Sequence, residues 1–221
     1  MTVGALVRHQ SEAVVSRSPS ERELVFAIMN REENAPRQPN RADIRDSDGP
    51  YPVVPRGQRQ SWMELDDQAL LAQCQVDAYG ACGPGGQKRN RKRSAIRLRH
   101  QPTGLMVQAE ESRSQTENRL RAVRRLRERL ALRIREPVGA DESLAIRPET
   151  LACGPRTLAY WQAVARSLDV LYQCGAQLRA TAERLGIGIA PLVKFWHRDP
   201  KVWEEVQRLR QWFHLSPLRH T

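Results

Sequence analysis

The residues Gly83-Pro84-Gly85-Gly86-Gln87 are the part of this chain best suited to chemistry. Two adjacent glycines after a Gly-Pro pair give a backbone that reaches positive φ and approaches a ligand closely, with no side chain masking its N–H groups. Such a loop offers amide donors to an anion. It runs directly into Lys88, Arg89, Arg91, Lys92 and Arg93, so the anion to expect nearby is phosphate. Between Gly83 and Glu136 sixteen Lys/Arg stand against five Asp/Glu, a balance of +11, while residues 1–82 sum to −3 and residues 137–221 to +3. A charge run by itself is usually a solvated face. Concentrated as it is in one quarter of the length, this one favours a polyanionic partner and binding that weakens steeply with salt.

Other residues of chemical type are read as structural. His100 alternates with Ile96 and Leu98, which points it to an apolar face and makes it a core histidine rather than a base. Cys74, Cys82, Cys153 and Cys174 form no C-x-x-C pair, so reduced thiols are expected, with no disulfide framework, zinc site or other cofactor. No apolar run approaches the ~18 to 20 residues of a membrane span. The N-terminus lacks a secretory pattern, and Glu12, Glu21, Glu23, Glu32 and Glu33 disfavour an organellar leader, so a cytoplasmic monomer is expected.

The elements that must position the loop follow from periodicity. Residues 1–61 are polar and rich in Pro and Arg, with one apolar patch at Leu24–Met29, and read as a largely disordered extension. Residues 62–137 read as the domain that carries the loop. Asp66–Leu71 suits a short helix; Cys74, Val76 and Ala78 alternate as in a half-buried strand that leads into the glycine loop. Ile96, Leu98 and His100, the turn Pro102-Thr103-Gly104, and Leu105, Val107 and Ala109 make a hairpin with Arg97 and Arg99 outward. Ser114-x-x-Glu117 supplies a capping box for a long helix whose stripe, Leu120, Val123, Leu126, Leu130 and Ile134, covers the hairpin. Its other faces carry Arg121, Arg124, Arg125, Arg127, Arg129 and Arg133.

A linker at 138–154 leads to a helical domain at 155–221. There Trp161, Val164, Leu168 and Leu171 form one stripe, and Ala182, Gly186 and Leu192 have helix-turn-helix spacing. A last helix, Lys201–Phe213, buries Trp203, Val206 and Leu209, with Trp196 and Trp212 also expected in the core. The fold class is α+β: a small mixed-sheet domain with a glycine loop and one long basic helix, followed by a small all-helical, helix-turn-helix-like domain.

The frame Gly83-x-Gly85-Gly86-Gln87-x-x-Asn90, with Ser94-Ala95, His100, Pro102-Thr103-Gly104, Arg113-Ser114-Gln115 and Asn118, resembles the peptidyl-tRNA hydrolase domain of class I peptide chain release factors. The resemblance spans Gln73 to Glu136. It implies hydrolysis of the ester between a nascent peptide and P-site tRNA, with Gly85, Gly86 and Gln87 catalytic and no cofactor. It also implies contact with large-subunit rRNA through Lys88, Arg89, Arg91, Lys92, Arg93, Arg97, Arg99, Arg113, Arg121, Arg124, Arg125 and Arg129. Codon-reading members carry a helical domain and a β-rich domain before the loop. The stretch before it here is read as mostly disordered, so the chain resembles the short, codon-independent members that rescue stalled ribosomes. It departs from them in ending with a helical module instead of a basic tail, in Arg89 where valine is usual, and in Gly80 where an arginine often stands. Pro148-Glu149-Thr150 spells the tripeptide that reads stop codons in one release factor class, but lies after the catalytic domain, where coincidence is the better reading. The competing functions are a non-catalytic rRNA- or tRNA-binding factor and a helix-turn-helix DNA-binding regulator.

Overall fold

The computed structural model describes residues 51–80, 93–139 and 145–218. The segment 81–92, and with it Gly85, Gly86, Gln87, Lys88, Arg89, Arg91 and Lys92, lies outside the described residues, as do Cys82 and Leu24–Met29.

Two short helices, α1 (Gln58–Glu64) and α2 (Asp67–Ala72), precede the sheet, and Asp66 caps α2 by accepting the Ala69 amide at 2.8 Å. Strands β1 (Cys74–Tyr79), β2 (Ala95–His100) and β3 (Met106–Ala109) pair in that order. Both pairings are antiparallel, so the sheet is not mixed. Cross-strand partners Val76, Leu98 and Val107 share one face, and Asp77, Arg97 and Gln108 the other. The apolar face is covered by α3 (Gln115–Arg133), which packs on β2 and β3. β1 lies at the sheet edge beside α2, and this leaves Val76 exposed where the alternation puts it inward.

Ser114 caps α3, its Oγ accepting the Glu117 amide at 3.4 Å; the Glu117 carboxylate turns instead to Ser112 Oγ at 2.5 Å, so only half of the expected box forms. The buried stripe of α3 is Ala122, Val123, Leu126, Leu130 and Ala131, completed by Ile134. Leu120 is not in it. At 3.6 residues per turn it sits about 120° round from Leu126, and Asn118 and Ala122 fill that end of the stripe instead.

After α4 (Pro148–Ala152), helix α5 (Leu158–Gln173) packs against α3, and α6 (Leu178–Arg184), α7 (Ile189–Trp196) and α8 (Pro200–Trp212) close around it. Trp161, Val164, Leu168 and Leu171 are buried as their spacing requires. Gly186 takes φ +63° in the turn from α6 to α7, with Ala182, Leu185 and Leu192 buried on either side. Trp196 and Trp203 are core residues, but Trp212 is 46% exposed: it lies off the Val202, Val206, Leu209 row of α8, which Phe213 continues against Tyr172. One cluster of buried apolar side chains runs from the sheet through α3 into these helices.

Residues 51–61, read from sequence as part of the disordered extension, belong to this packing. Tyr51, Val54, Gln58 and Arg59 are buried, and the Val54 amide donates to the Arg135 carbonyl while the Arg135 amide donates to that of Pro52, each at 3.0 Å. Arg59 is the centre of a buried charge cluster. Its Nη1 donates to Asp169 Oδ1 at 2.8 Å and to the Ile134 carbonyl at 3.0 Å; its Nη2 lies 2.7 Å from Asp169 Oδ2 and 3.3 Å from Glu136 Oε2. Arg135 adds a 3.4 Å contact to Asp169 and places its guanidinium 4.9 Å from the Tyr51 ring centroid. Burial works against the Arg59 charge, and the two carboxylates more than offset it; burial likewise holds the Glu136 carboxyl above its usual range against the pull of Arg59. The segment looked disordered from sequence because its polar arginine finds these partners 77 and 110 residues away.

Candidate functional site

Tyr79 at the end of β1 pairs with Ala95 at the start of β2, so the loop of residues 80–94 leaves and returns at one end of the sheet. Its return is tied down by Asn118. This fully buried side chain donates from Nδ2 to the carbonyls of Ser94 and Ser112, each at 2.8 Å, and accepts the Ser112 amide on Oδ1 at 2.9 Å. The loop base, the 110–114 turn and the first turn of α3 are thereby joined through one amide group. On its other flank the Tyr79 hydroxyl lies 3.4 Å from Gln108 Oε1 and 3.3 Å from Glu110 Oε2, with the Arg97 guanidinium 5.0 Å from the ring centroid.

His100 stands at the opposite end of β2, five residues or about 17 Å along the strand from Ala95. Its Nδ1 pairs with Thr103 Oγ1 at 2.8 Å, its Nε2 lies 3.3 Å from Gln73 Oε1, and the ring packs edge-on against Trp62 with centroids 5.1 Å apart. Burial pushes its pKa down to about 4. It is a neutral, hydrogen-bonded core histidine, as its alternation indicated. Cys74, Cys153 and Cys174 are free thiols, and among the described residues no grouping of His, Cys, Asp and Glu could hold a metal ion.

The basic residues separate into three groups. Arg93, Arg97, Arg99, Arg113, Arg124 and Arg129 are exposed, with Arg97 and Arg99 on the outer face of the sheet. Arg121 and Arg125 are half-buried and already engaged: Arg121 lies 2.5 Å from Glu117, and Arg125 binds the Glu111 carboxylate and the Gln108 carbonyl at the edge of β3. Those pairings hold both glutamate carboxyls below their usual range, Glu111 chiefly through Arg125, Glu117 through Ser112 and then Arg121. Arg127 is a brace, bonded to Asp67 at 2.6 Å and to the carbonyls of Leu65 and Met63. Sequence reasoning missed that α8 brings Lys201 and Arg208 to the same side as Arg129 and Arg133. No local pattern could have found them, since Lys201 meets Glu128 at a separation of 73 residues.

The second helix of the helix-turn-helix-like unit bears on the DNA-binding alternative. Within α7 the only exposed polar side chain is Lys194, and its exposed face is otherwise Ile189, Ala190 and Pro191. A recognition helix reads base edges through several hydrogen-bonding side chains. This helix lacks them. No helix among the described residues is long and apolar enough to cross a membrane.

Comparison with known proteins places similarity on the loop-bearing part. Peptide chain release factor 1 of Erythrobacter litoralis is 40% identical over 83 residues, 38% of this chain and 22% of that protein. Peptide chain release factor 1 of Acidiphilium cryptum is 36% identical over 94 residues, 42% of this chain and 26% of the relative. Peptide chain release factor 2 of a Sulfurovum species is 43% identical over 68 residues, 31% and 18%. The chain thus spans about a fifth to a quarter of the length of these relatives. The family model of the RF-1 domain matches residues 66–149, from the cap of α2 to the start of α4. Over that span, which holds the glycine loop, Asn118 and the arginine helix, the chain matches the RF-1 domain and is similar to peptide chain release factors 1 and 2.

Proposed function

We propose that this protein is a codon-independent peptidyl-tRNA hydrolase that frees nascent peptides from stalled ribosomes or from split large subunits. The observation that carries the proposal is the Gly83-x-Gly85-Gly86-Gln87 frame inside an RF-1 domain, on a loop whose two ends are paired through Tyr79 and Ala95 and tied by Asn118. Codon independence is part of this proposal and is decided by the stop-codon arm of the test below.

The chemistry is attack of water on the ester carbonyl that joins peptide to tRNA. The C–O bond to the ribose breaks, the peptide leaves as a carboxylic acid, and the ribose oxygen takes up the proton. In this reading Gln87 directs its backbone N–H at the developing negative charge, and its side chain occupies space that a larger nucleophile would need. A preorganised amide donor of this kind supplies roughly 2.7–4 kcal/mol of transition-state stabilisation. Gly85 and Gly86 keep a Cβ out of the approach. Positioning in a ribosomal pocket accounts for the rest, and His100, at the far end of β2, takes no part. The partners are large-subunit rRNA and P-site peptidyl-tRNA, reached through Arg93, Arg97, Arg99, Arg113, Arg124 and Arg129 together with the cations of the loop.

The test is peptide release from ribosomes stalled on truncated and on stop-codon messages. Wild-type protein is expected to release from both at similar rates. Gly86→Ala is expected to lower release by about 100-fold or more, the scale of one lost oxyanion donor, with ribosome binding changed less than twofold. Equal release by wild type and variant would remove the hydrolase reading, and a strong stop-codon requirement would remove codon independence.

A further inference from the structure

A groove of about 770 Å³ lies between the edge of β3, α3 and α8. Its lining sets six cations, Arg97, Arg125, Arg129, Arg133, Lys201 and Arg208, against three carboxylates, Glu128, Glu204 and Glu205. Two of those carboxylates are spoken for. Glu128 holds Lys201 at 2.5 Å, and the buried Glu205 takes Arg208 at 2.5 Å and Arg133 at 3.8 Å. These pairs fasten α8 beside α3 as the second wall. Arg97 and Arg129 have no carboxylate within 4.0 Å among the described residues, and Glu204 is exposed on the α8 side.

The cations of α3 are also ordered. Arg121, Arg125, Arg129 and Arg133 recur every fourth residue, which lines them along one flank of the helix about 6 Å apart. Small-molecule sites are predominantly apolar with a few convergent polar groups. This groove is the reverse: nine of its thirteen lining residues are charged. Arg125 is already paired with Glu111 and Arg133 with Glu205, so the open guanidinium forks of the groove are those of Arg129 and Arg97, and arginine is the side chain that meets phosphate bidentately.

The geometry points to this groove as the seat of a single strand of RNA, held by its phosphates at Arg129 and Arg97, with α8 as the opposite wall. RNA, rather than another polyanion, rests on the release-factor reading above. An acidic polypeptide is the competitor, and the polyglutamate arm of the experiment separates the two. The groove assigns to α8, outside the RF-1 match, a part in binding.

The experiment is fluorescence anisotropy of the full-length protein with a labelled 20-nucleotide single-stranded RNA over a series of salt concentrations. Arg129→Gln, at an exposed position, is expected to keep the melting temperature, weaken binding about tenfold and make the log–log salt slope shallower by roughly 0.7. Glu204→Gln is expected to tighten binding, a gain that misfolding cannot produce. Arg179→Gln, at an exposed arginine of α6 away from the groove, is expected to bind like wild type. Arg129→Gln binding like wild type, an equal loss in Arg179→Gln, no gain in Glu204→Gln, or displacement of RNA by polyglutamate of equal charge each overturns the proposal. Loss of the Arg129 effect with intact peptide release would remove the groove alone; absent release with the Arg129 effect intact would remove the hydrolase reading alone.

Discussion

Replacing Asn118 by Ala removes three hydrogen bonds at a fully buried site: two from Nδ2 to the Ser94 and Ser112 carbonyls at 2.8 Å and one from the Ser112 amide to Oδ1 at 2.9 Å. At about 1 kcal/mol net per bond the loss is roughly 3 kcal/mol, since the orphaned backbone groups lie at a part-buried turn where water replaces some of the contact. With a urea m-value of about 2 kcal/mol/M, the unfolding midpoint should fall by ~1.5 M. A domain of ordinary stability, about 5–15 kcal/mol, survives that loss at room temperature, so the variant can be assayed for release. Because Ser94 is where the loop re-enters the sheet, kcat for peptide release should drop while the concentration needed for half-maximal rate changes little. Asn118→Asp keeps the acceptor for the Ser112 amide but turns a carboxylate oxygen to two carbonyls, and should be at least as damaging at neutral pH. A midpoint shift under about 0.3 M in both variants would refute the reasoning, as would wild-type release from a loop base without its tie.

Two further outcomes follow from buried charge. The unfolded chain binds a proton on His100 near pH 6.5, whereas burial against uncharged Trp62, Thr103 and Gln73 holds the folded form neutral until about pH 4. Stability should therefore rise with pH between about 4 and 6.5, by up to ~3 kcal/mol; His100→Gln should lose that difference, measured as urea midpoints against pH, and parallel profiles would refute it. Asp169→Ala leaves Arg59 with Glu136 alone and strips Arg135 of its carboxylate, so it should cost about 3–5 kcal/mol in denaturant unfolding; a loss under about 1 kcal/mol would show that the cluster relaxes without it.

Much of the loop-bearing part was legible in the sequence because its signals are local. Alternation assigns the faces of β2 and β3, the glycine spacing marks the loop, and Ser114 marks the start of α3. Where neighbours in space decide, the reading failed. Val76 alternates correctly but lies on an edge strand, Leu120 has helical spacing but sits off the buried stripe, and Trp212 is apolar but off the α8 row. Arg127 reads like any other arginine of its helix, yet it braces α2 through Asp67. Arg59 is the furthest case, since a polar residue in a Pro- and Arg-rich stretch has no local sign of a carboxylate 110 positions later.

That separation also sets an order of events during synthesis. A ribosome adds about 5–20 residues per second, so Arg59 emerges roughly 6–22 s before Asp169 exists to neutralise it. By the end of that interval the sheet, the arginine helix and Glu136 are already made, but the buried guanidinium has only one of its two carboxylates. The Arg59 site of each new molecule is completed only when its own C-terminal helices supply Asp169.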